Sequence, residues 1–342
     1  MSTRLRQPSG LALTARGRAI VRVLFIVLAL GLVMIHTRAF LTMFGLPGDI
    51  DPFTDAMTYQ AAGERLNVGH DLYRLQEGDR PVLGVPISFS VPLLSPPPIA
   101  VLWRPIAALP FGFAAWIVAC WAALLGTIAY LILRTGLIGL VVCVMLAEPV
   151  ANQLAVGNLT SFFPLLTVLV WNLRSRPWSG ALVGVMVAFK LSPAALFASR
   201  LARRRDQLIA GFVAIVVVLA IATVGAGPAA LTDYVGVAAT TKPSSPSLSG
   251  ISGIPWLSLA VLIGGILLAL VVRGQALSFS IALIASVLGN PALYEPGLVP
   301  LLALLAPVIG SRYVWPAGGV KEQEAAASQR IAGDLLEPRG AR

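Results

Sequence analysis

Long apolar runs, separated by short polar or basic stretches, occupy most of this chain. Ten such runs are present, at residues 19–37, 112–133, 136–150, 159–173, 178–189, 193–201, 208–224, 256–272, 276–289 and 298–309. Uninterrupted apolar runs approaching 20 residues are typical of helices in a bilayer. The pattern predicts an all-α polytopic membrane protein with about ten membrane-crossing or membrane-entering segments.

Composition supports this prediction. Of the 342 residues, 57% are hydrophobic and 12% are charged, whereas soluble domains carry about 45–50% apolar and about 25% charged residues. A water-facing surface would need far more charge, so the composition excludes a soluble globular, disordered or nucleic-acid-binding protein.

Basic residues set the predicted orientation, because Lys and Arg accumulate in cytoplasmic loops. Arginines cluster before the first run, around residues 174–176 and at 203–205. We expect a bacterial plasma-membrane protein with a cytoplasmic N-terminal tail (1–18), a transmembrane domain (19–310) and a cytoplasmic C-terminal tail (311–342). These arginines lie on the same side of the membrane only if residues 178–201 form a hairpin and do not cross it as a single helix. Each arm has about 9–12 residues, which is too short to cross a hydrocarbon core of about 30 Å.

Acidic residues concentrate in the predicted external loop 44–98. This loop holds seven of the fifteen acids of the chain: Asp49, Asp51, Asp55, Glu64, Asp71, Glu77 and Asp79. Apolar residues at helical spacing (Met57, Ala61, Ala62, Leu66) predict an amphipathic helix from Asp55 onwards, lying at the interface. Asp55 would lie in its first turn, and two roles remain open: helix capping, or a general base where a membrane-borne substrate meets water.

Other polar features lie between the apolar runs. The prolines between residues 95 and 110 predict irregular backbone at the outer interface, with Trp103 and Arg104 in an interfacial belt. The polar stretch 153–161 indicates an external turn. Lys190 lies at the predicted hairpin tip, at membrane depth, where a charge is costly and calls for a partner; a lipid phosphate would be a suitable one.

Cysteine and histidine usage predicts no cofactor and no metal site. Cys120 and Cys143 lie inside apolar runs, as small core residues do, and His36 and His70 stand far apart. Neither a disulfide framework nor a zinc-ligand spacing is present in the sequence.

Four stretches in this order resemble glycosyltransferase family 87, a group of GT-C membrane enzymes that includes polyprenol-phosphate-dependent mannosyltransferases and arabinofuranosyltransferases. They are Asp55…Tyr59…Leu72-Tyr73, then Pro96-Pro97-Pro98 with Leu109-Pro110, then Gly157-Asn158, then Lys190-Leu191-Ser192-Pro193. The family commonly has Gly-Gln where this chain has Gly157-Asn158. It often has Trp and His after a Ser-Pro step where this chain has Asn290-Pro291 and Tyr294-Glu295.

The resemblance implies a GT-C-like bundle and an inverting sugar transfer at the outer membrane face. The donor would be a polyprenyl-phosphate sugar of the mannose or arabinofuranose class, and the acceptor a lipid-linked or cell-wall polysaccharide. Asp55 would be the catalytic base and Lys190 would hold the donor phosphate, with no metal required. The implied substrate-binding residues are Tyr59, Tyr73, Asn158, Lys190 and Glu295.

Two other functions remain open at this stage. Short broken helices with buried polar residues also mark transporters and lipid flippases, although no internal repeat is evident in this sequence. A catalytically silent scaffold of envelope assembly is the third reading, because the 157–158 and 290–295 stretches depart from the family pattern.

Overall fold

The computed structural model describes residues 15–44, 52–74, 93–201, 204–240 and 242–309. In these ranges the secondary structure is helical, without a strand. The α-helices are α1 (Ala15–Phe44), α2 (Thr54–Asn67), α3 (Pro97–Ala107), α4 (Gly112–Thr135), α5 (Leu137–Met145), α6 (Ala147–Val156), α7 (Phe163–Asn172), α8 (Trp178–Phe189), α9 (Ala198–Leu201), α10 (Arg205–Ala226), α11 (Ala229–Thr240), α12 (Leu248–Ser252), α13 (Leu257–Val271) and α14 (Gln275–Leu288). Three 3₁₀ segments are Leu159–Phe162, Ser192–Phe197 and Glu295–Val308.

The buried side chains form two packed clusters. The larger one joins α1, the second half of α4, α5–α8, α14 and the segment Glu295–Val308. The smaller one joins α2, α3, the first half of α4 and α11 around the buried Trp103 and Trp116 rings, whose centroids are 5.0 Å apart. Trp121 and Leu159 pack against both clusters, so the segment that follows α6 lies at their junction.

The chain turns back after α8, as the sequence predicts. A Cβ added to Gly180 would overlap the main-chain carbonyl of Gln207, and one added to Gly184 would overlap that of Gly211. Helices α8 and α10 therefore run side by side in the same direction, with their backbones in contact, as small residues spaced four apart allow in membrane bundles. The segment from Lys190 to α9, which connects α8 to α10 along the chain, must therefore run in the opposite direction. Together with α8 it forms the predicted hairpin.

Polar contacts sort to the two ends of α4. At the arginine-bearing end, the Gln207 side chain donates to the Arg174 carbonyl (2.7 Å) and Arg134 stacks over Tyr130 (5.8 Å). At the other end, the Arg104 guanidinium donates to the Gly225 carbonyl (2.9 Å). This opposite end also carries α2, so α2 and the described arginines next to Gln207 (Arg174, Arg176, Arg204 and Arg205) lie at opposite ends of α4.

The helices are shorter than full membrane spans in most cases. Among the described residues, α4 and α10 are long and apolar enough to cross a bilayer, and α5 with α6, bent by 62° at their junction, would make a third span. Six further apolar helical stretches have 10–17 residues, among them Ala19–Ile35 within α1. Helices occupy the regions of all ten predicted runs, but ten membrane segments are not confirmed. The first 14 residues of the predicted tail 1–18, the predicted tail 311–342, and residues 45–51 and 75–92 of the loop 44–98 lie outside the described residues. Among the predicted loop acids, this applies to Asp49, Asp51, Glu77 and Asp79.

Two local predictions were wrong. The proline-rich stretch is helical, because Pro97 and Pro98 occupy the first turn of α3, where a missing N–H donor costs no intrahelical hydrogen bond. Trp103 is fully buried instead of interfacial, since α2 packs directly over its backbone at Gly63.

The buried face of α2 also differs from the predicted one. Ala56, Tyr59, Ala62 and Leu66 face the core, whereas Met57 is 41% exposed. The spacing predicted a helix correctly, but Tyr59 replaces Met57 on its packed side. Cys120 and Cys143 are buried free thiols, as predicted.

Candidate active site

Asp55 lies in the first turn of α2, and the start of this helix is fixed by an unusual backbone. Phe53 has a left-handed conformation (φ 66°), the one positive φ at a non-glycine residue in the described ranges. Its main-chain N–H donates to the Ala155 carbonyl of α6 at 2.7 Å. Such a conformation is costly and persists only where the surroundings impose it, so the contact with α6 determines where α2 begins.

The turn after α6 packs against this helix start. Gly157 ends α6 with φ 67°, which favours glycine. A Cβ there would lie 2.7 Å from Cδ1 of Ile117 and 3.0 Å from Cβ of Ala56. The indole Nε1–H of Trp116 donates to the Gly157 carbonyl at 2.8 Å. The turn is therefore held from both α2 and α4.

Asn158, the next residue, contacts Asp55 directly. Its Nδ2 donates to the Asp55 Oδ2 at 2.7 Å. Its Oδ1 accepts from the main-chain N–H of Thr160 at 2.8 Å. The sequence pattern placed both residues in one site but did not predict this contact.

A buried polar network supports the Asn158 turn. Gln153, which is fully buried, donates through Nε2 to the Asn158 carbonyl (3.0 Å) and to the Ser161 hydroxyl (2.9 Å). The Thr160 hydroxyl lies 3.0 Å from Oε1 of Gln153 and 2.9 Å from Oδ1 of Asn158, and can donate its one proton to either. Sequence reasoning interpreted this stretch as an external turn. Its density of amide and hydroxyl side chains between apolar runs was the available signal.

Lys190 approaches Asp55 from the tip of the hairpin. It ends α8, and its charge acts on Asp55 electrostatically. Among the described residues, the Lys190 ammonium forms neither a salt bridge nor a side-chain hydrogen bond. A small cavity beside it is lined by polar residues, among them Thr160, Thr167, Ser192, Ser286 and Asn290. The carboxylate and the ammonium thus converge without direct pairing, next to a cavity carrying hydroxyl and amide groups.

Burial dominates the electrostatics of Asp55. Loss of water raises the pKa of the carboxyl group above its ordinary 3.8, because the charged form is disfavoured. The hydrogen bond from Asn158 and the positive charge of Lys190 oppose this effect in part. A carboxylate with a raised pKa is a stronger base than an ordinary surface aspartate.

Tyr59 lies one helical turn after Asp55, in the packed interior. Its ring is buried, edge-on to Trp116 at 6.4 Å. Burial and, secondly, the negative charge of Asp55 raise the pKa of the phenol, so it remains protonated. Tyr59 therefore contributes to the wall of the site.

Tyr73 has a different environment from Asp55. Its hydroxyl donates to the Ser95 carbonyl at 2.7 Å, and its ring lies 6.0 Å from that of Tyr234. The loop that carries it is held by Arg65, at the opposite end of α2, which donates to the Asp71 and Arg74 carbonyls. No described contact brings Tyr73 to Asp55.

The turn before the last 3₁₀ segment completes one side of the site. Glu295 accepts through Oε2 from Nδ2 of Asn152 at 2.7 Å, one residue before the buried Gln153. Burial and the charge of Asp55 raise the pKa of Tyr294. Tyr294 therefore lies within electrostatic reach of Asp55. Asn152 and Tyr294 were not among the predicted site residues.

Comparisons with known proteins address the family of the chain. The sequence model of glycosyltransferase family 87 matches residues 94–318. The chain belongs to glycosyltransferase family 87. Neither the curated proteins nor the solved structures compared with it gave a significant match.

The family 87 match covers the Gly157-Asn158 turn, Lys190 and the 290–295 stretch, but begins after α2. Asp55 therefore joins the family 87 region through its contact with Asn158. Within the described part of the chain, no three His, Cys, Asp or Glu residues are grouped as a metal site would require.

Proposed function

We propose that this membrane protein is an inverting glycosyltransferase that moves a sugar from a polyprenyl-phosphate donor to a lipid-linked or polysaccharide acceptor at the outer membrane face. Family membership supports glycosyl transfer. The observation that carries the mechanism is geometric: Asp55 is hydrogen-bonded to Asn158, which contacts Thr160, and Thr160 lines the same cavity as Lys190.

Asp55 is the proposed general base. The acceptor hydroxyl attacks the anomeric carbon while its proton passes to the Asp55 carboxylate. A new C–O bond to the acceptor forms as the bond to the phosphate oxygen breaks, and polyprenyl phosphate leaves. Attack opposite the leaving group inverts the anomeric configuration.

Lys190 is the proposed partner of the donor phosphate. Its ammonium would stabilise the negative charge that develops on the leaving oxygen, and a charge held in a water-poor site acts more strongly than one in bulk water. The hydroxyl and amide groups of the adjacent cavity offer additional donors. Among the other predicted binding residues, Asn158 contacts Asp55 and the cavity-lining Thr160, and Glu295 accepts from Asn152. Tyr59 and Tyr73 are buried in the helix packing.

The orientation forms part of the proposal. We place α2 and the Asn158 turn outside the cell and both tails inside, in a bacterial plasma membrane, with residues 19–310 as the transferase domain. A membrane-impermeant thiol reagent applied to intact cells should label a cysteine at exposed Glu64 but not one at exposed Arg176. The reverse pattern would contradict this orientation.

The donor class is tested with purified protein and radiolabelled substrates. We expect label to move to acceptor lipid from polyprenyl-phosphate mannose or polyprenyl-phosphate arabinofuranose, and not from the corresponding nucleotide sugar. Lys190→Ala should raise the apparent KM for the donor about tenfold or more, since a hydrogen bond to a charged group contributes about 1.5–3 kcal/mol. The exposed Lys242 provides the matched control, Lys242→Ala. Transfer from a nucleotide sugar, or an unchanged KM in Lys190→Ala, would refute this assignment.

A further inference from the structure

The side-chain amide of Asn158 contacts Asp55 through its nitrogen, and a second hydrogen bond to its oxygen fixes the orientation of the amide. The amide oxygen accepts from the Thr160 main-chain N–H at 2.8 Å, and the amide nitrogen donates to Oδ2 of Asp55 at 2.7 Å. A flipped amide would place its oxygen against the carboxylate and its nitrogen against an N–H donor. Both contacts would be lost, so this orientation is the one that the surroundings allow.

The main chain around Asn158 is equally constrained. Its carbonyl accepts from the buried Gln153 amide at 3.0 Å. The preceding Gly157 carbonyl accepts from the Trp116 indole at 2.8 Å. Helix α2 is tied to the same region by the hydrogen bond from Phe53 to the Ala155 carbonyl. Donor and acceptor of the Asn158–Asp55 bond therefore stand on backbones that are held relative to each other.

We infer that Asn158 is a positioning residue, which occupies Oδ2 of Asp55 and leaves Oδ1 as the oxygen that takes the proton of the acceptor hydroxyl. This inference rests on the proposed function of Asp55 as the base. It assigns the Asn158 amide to the carboxylate, in place of the direct substrate contact that the sequence resemblance implied.

The hydrogen bond also favours the ionised carboxylate, and other groups act on Asp55 as well. The charge of Lys190 acts on it from the hairpin tip, and the charge of Asp55 acts in turn on Tyr294, in the turn before the last 3₁₀ segment, and on Tyr59 of its own helix. Cys120 of α4 lies 3.8 Å from the Asn158 carbonyl. Replacing Asn158 leaves these four side chains in place. A change in the titration of Asp55 in such a variant is therefore caused by the loss of the Asn158 amide.

Labelling with dicyclohexylcarbodiimide tests the inference without any substrate. The reagent adds to the protonated form of a carboxyl group in an apolar setting, and mass spectrometry locates the adduct at Asp55. We expect the pH midpoint of labelling to rise by about one unit or more in Asn158→Ala, because a charge-assisted hydrogen bond is lost. Asn158→Leu, which keeps the same branched arrangement of heavy atoms, should behave alike and guards against misfolding of the smaller variant.

Two controls isolate the effect. Glu64, exposed on the same helix and outside an apolar setting, should carry no adduct in any variant. Asn67→Ala removes an amide at the far end of α2, where it donates to the Arg104 carbonyl at 3.0 Å, and should leave the Asp55 midpoint unchanged. In transfer assays, the acid limb of kcat/KM should move upward with the labelling midpoint in the Asn158 variants.

The outcomes separate the two proposals. If wild-type protein transfers sugar but neither the labelling midpoint nor the acid limb moves in folded Asn158 variants, the positioning role is overturned and the proposed function stands. If the midpoint moves while wild-type protein transfers no sugar from any donor, Asn158 controls Asp55 as inferred and the proposed function fails.

Discussion

Gly157→Ala should disrupt the site through a clash that can be separated from backbone strain. An alanine at φ 67° must adopt a left-handed conformation, which costs about 1–2 kcal/mol. Its Cβ would also lie 2.7 Å from Cδ1 of Ile117 and 3.0 Å from Cβ of Ala56, well inside ordinary carbon–carbon contact. Overpacking of this kind adds about 1–3 kcal/mol.

Gly253→Ala is the matched control. Gly253 has φ 69°, and a Cβ added there meets nothing within 4 Å. In this control variant, the left-handed backbone conformation is therefore the one source of destabilisation. We expect Gly157→Ala to lose about 2–5 kcal/mol of unfolding free energy and Gly253→Ala about 1–2 kcal/mol.

Equilibrium unfolding of the purified protein in mixed micelles with increasing SDS measures this difference. Because relief of the clash moves Asn158 and the start of α2 apart, Gly157→Ala should also lose most transfer activity, whereas Gly253→Ala retains it. Equal destabilisation in the two variants, or full activity in Gly157→Ala, would refute the packing argument.

Three further predictions concern the surroundings of the site. Because burial raises the pKa of Asp55 and the base must be ionised, kcat/KM should fall with decreasing pH at values above the ordinary 3.8; an acid limb at or below 3.8 would contradict this. Gly184→Leu should lower the free energy of unfolding in SDS by about 1–3 kcal/mol, because the new side chain would overlap α10. Gly264→Leu, in open space on α13, should not lower it. Equal unfolding free energies in the two variants would exclude close packing of α8 against α10. Trp116→Phe should cost about 1–3 kcal/mol, because the buried Gly157 carbonyl would keep only the weak contact from Cys120 Sγ at 3.9 Å. Trp178→Phe, at a side chain 69% exposed, should cost little. A stable Trp116→Phe would show that the indole bond is dispensable.

The sequence was sufficient to single out the candidate groups of the site. Asp55 stands out because seven of the fifteen acids lie in one loop, and Lys190 because a charge at membrane depth is costly and calls for a partner. The hairpin followed from arginine placement and arm length. These features depend on local sequence or on the assignment of each loop to one side of the membrane, and periodicity and charge reveal both directly.

Contacts between distant segments were not predictable in the same way. The Asn158–Asp55 bond, the Trp116 bond to the Gly157 turn and the buried role of Gln153 depend on how α2, α4 and α6 pack. A polar stretch between apolar runs looks the same in a solvent-exposed turn and in a buried network, so the 153–161 stretch was interpreted as the former.

Helix α3 shows where a correct rule was applied to the wrong position. Prolines break helix interiors, but Pro97 and Pro98 begin the helix, where they are tolerated, and Pro105 stands in its last turn, two residues before the helix ends at Ala107. Trp103 then lies under α2 because Gly63 lets the two backbones approach. The number of membrane spans was harder still, since apolar runs of 10–17 residues can pack inside protein without crossing a bilayer.

The most direct measurement is the rate of sugar transfer from a radiolabelled polyprenyl-phosphate sugar by Asp55→Asn, compared with Glu64→Gln from the exposed face of the same helix. The proposed mechanism predicts that Asp55→Asn lowers kcat by about 10²–10⁴-fold, the usual contribution of a general base, while Glu64→Gln keeps the wild-type rate. Near-normal transfer by a folded Asp55→Asn variant would contradict the central claim that this carboxylate is the catalytic base.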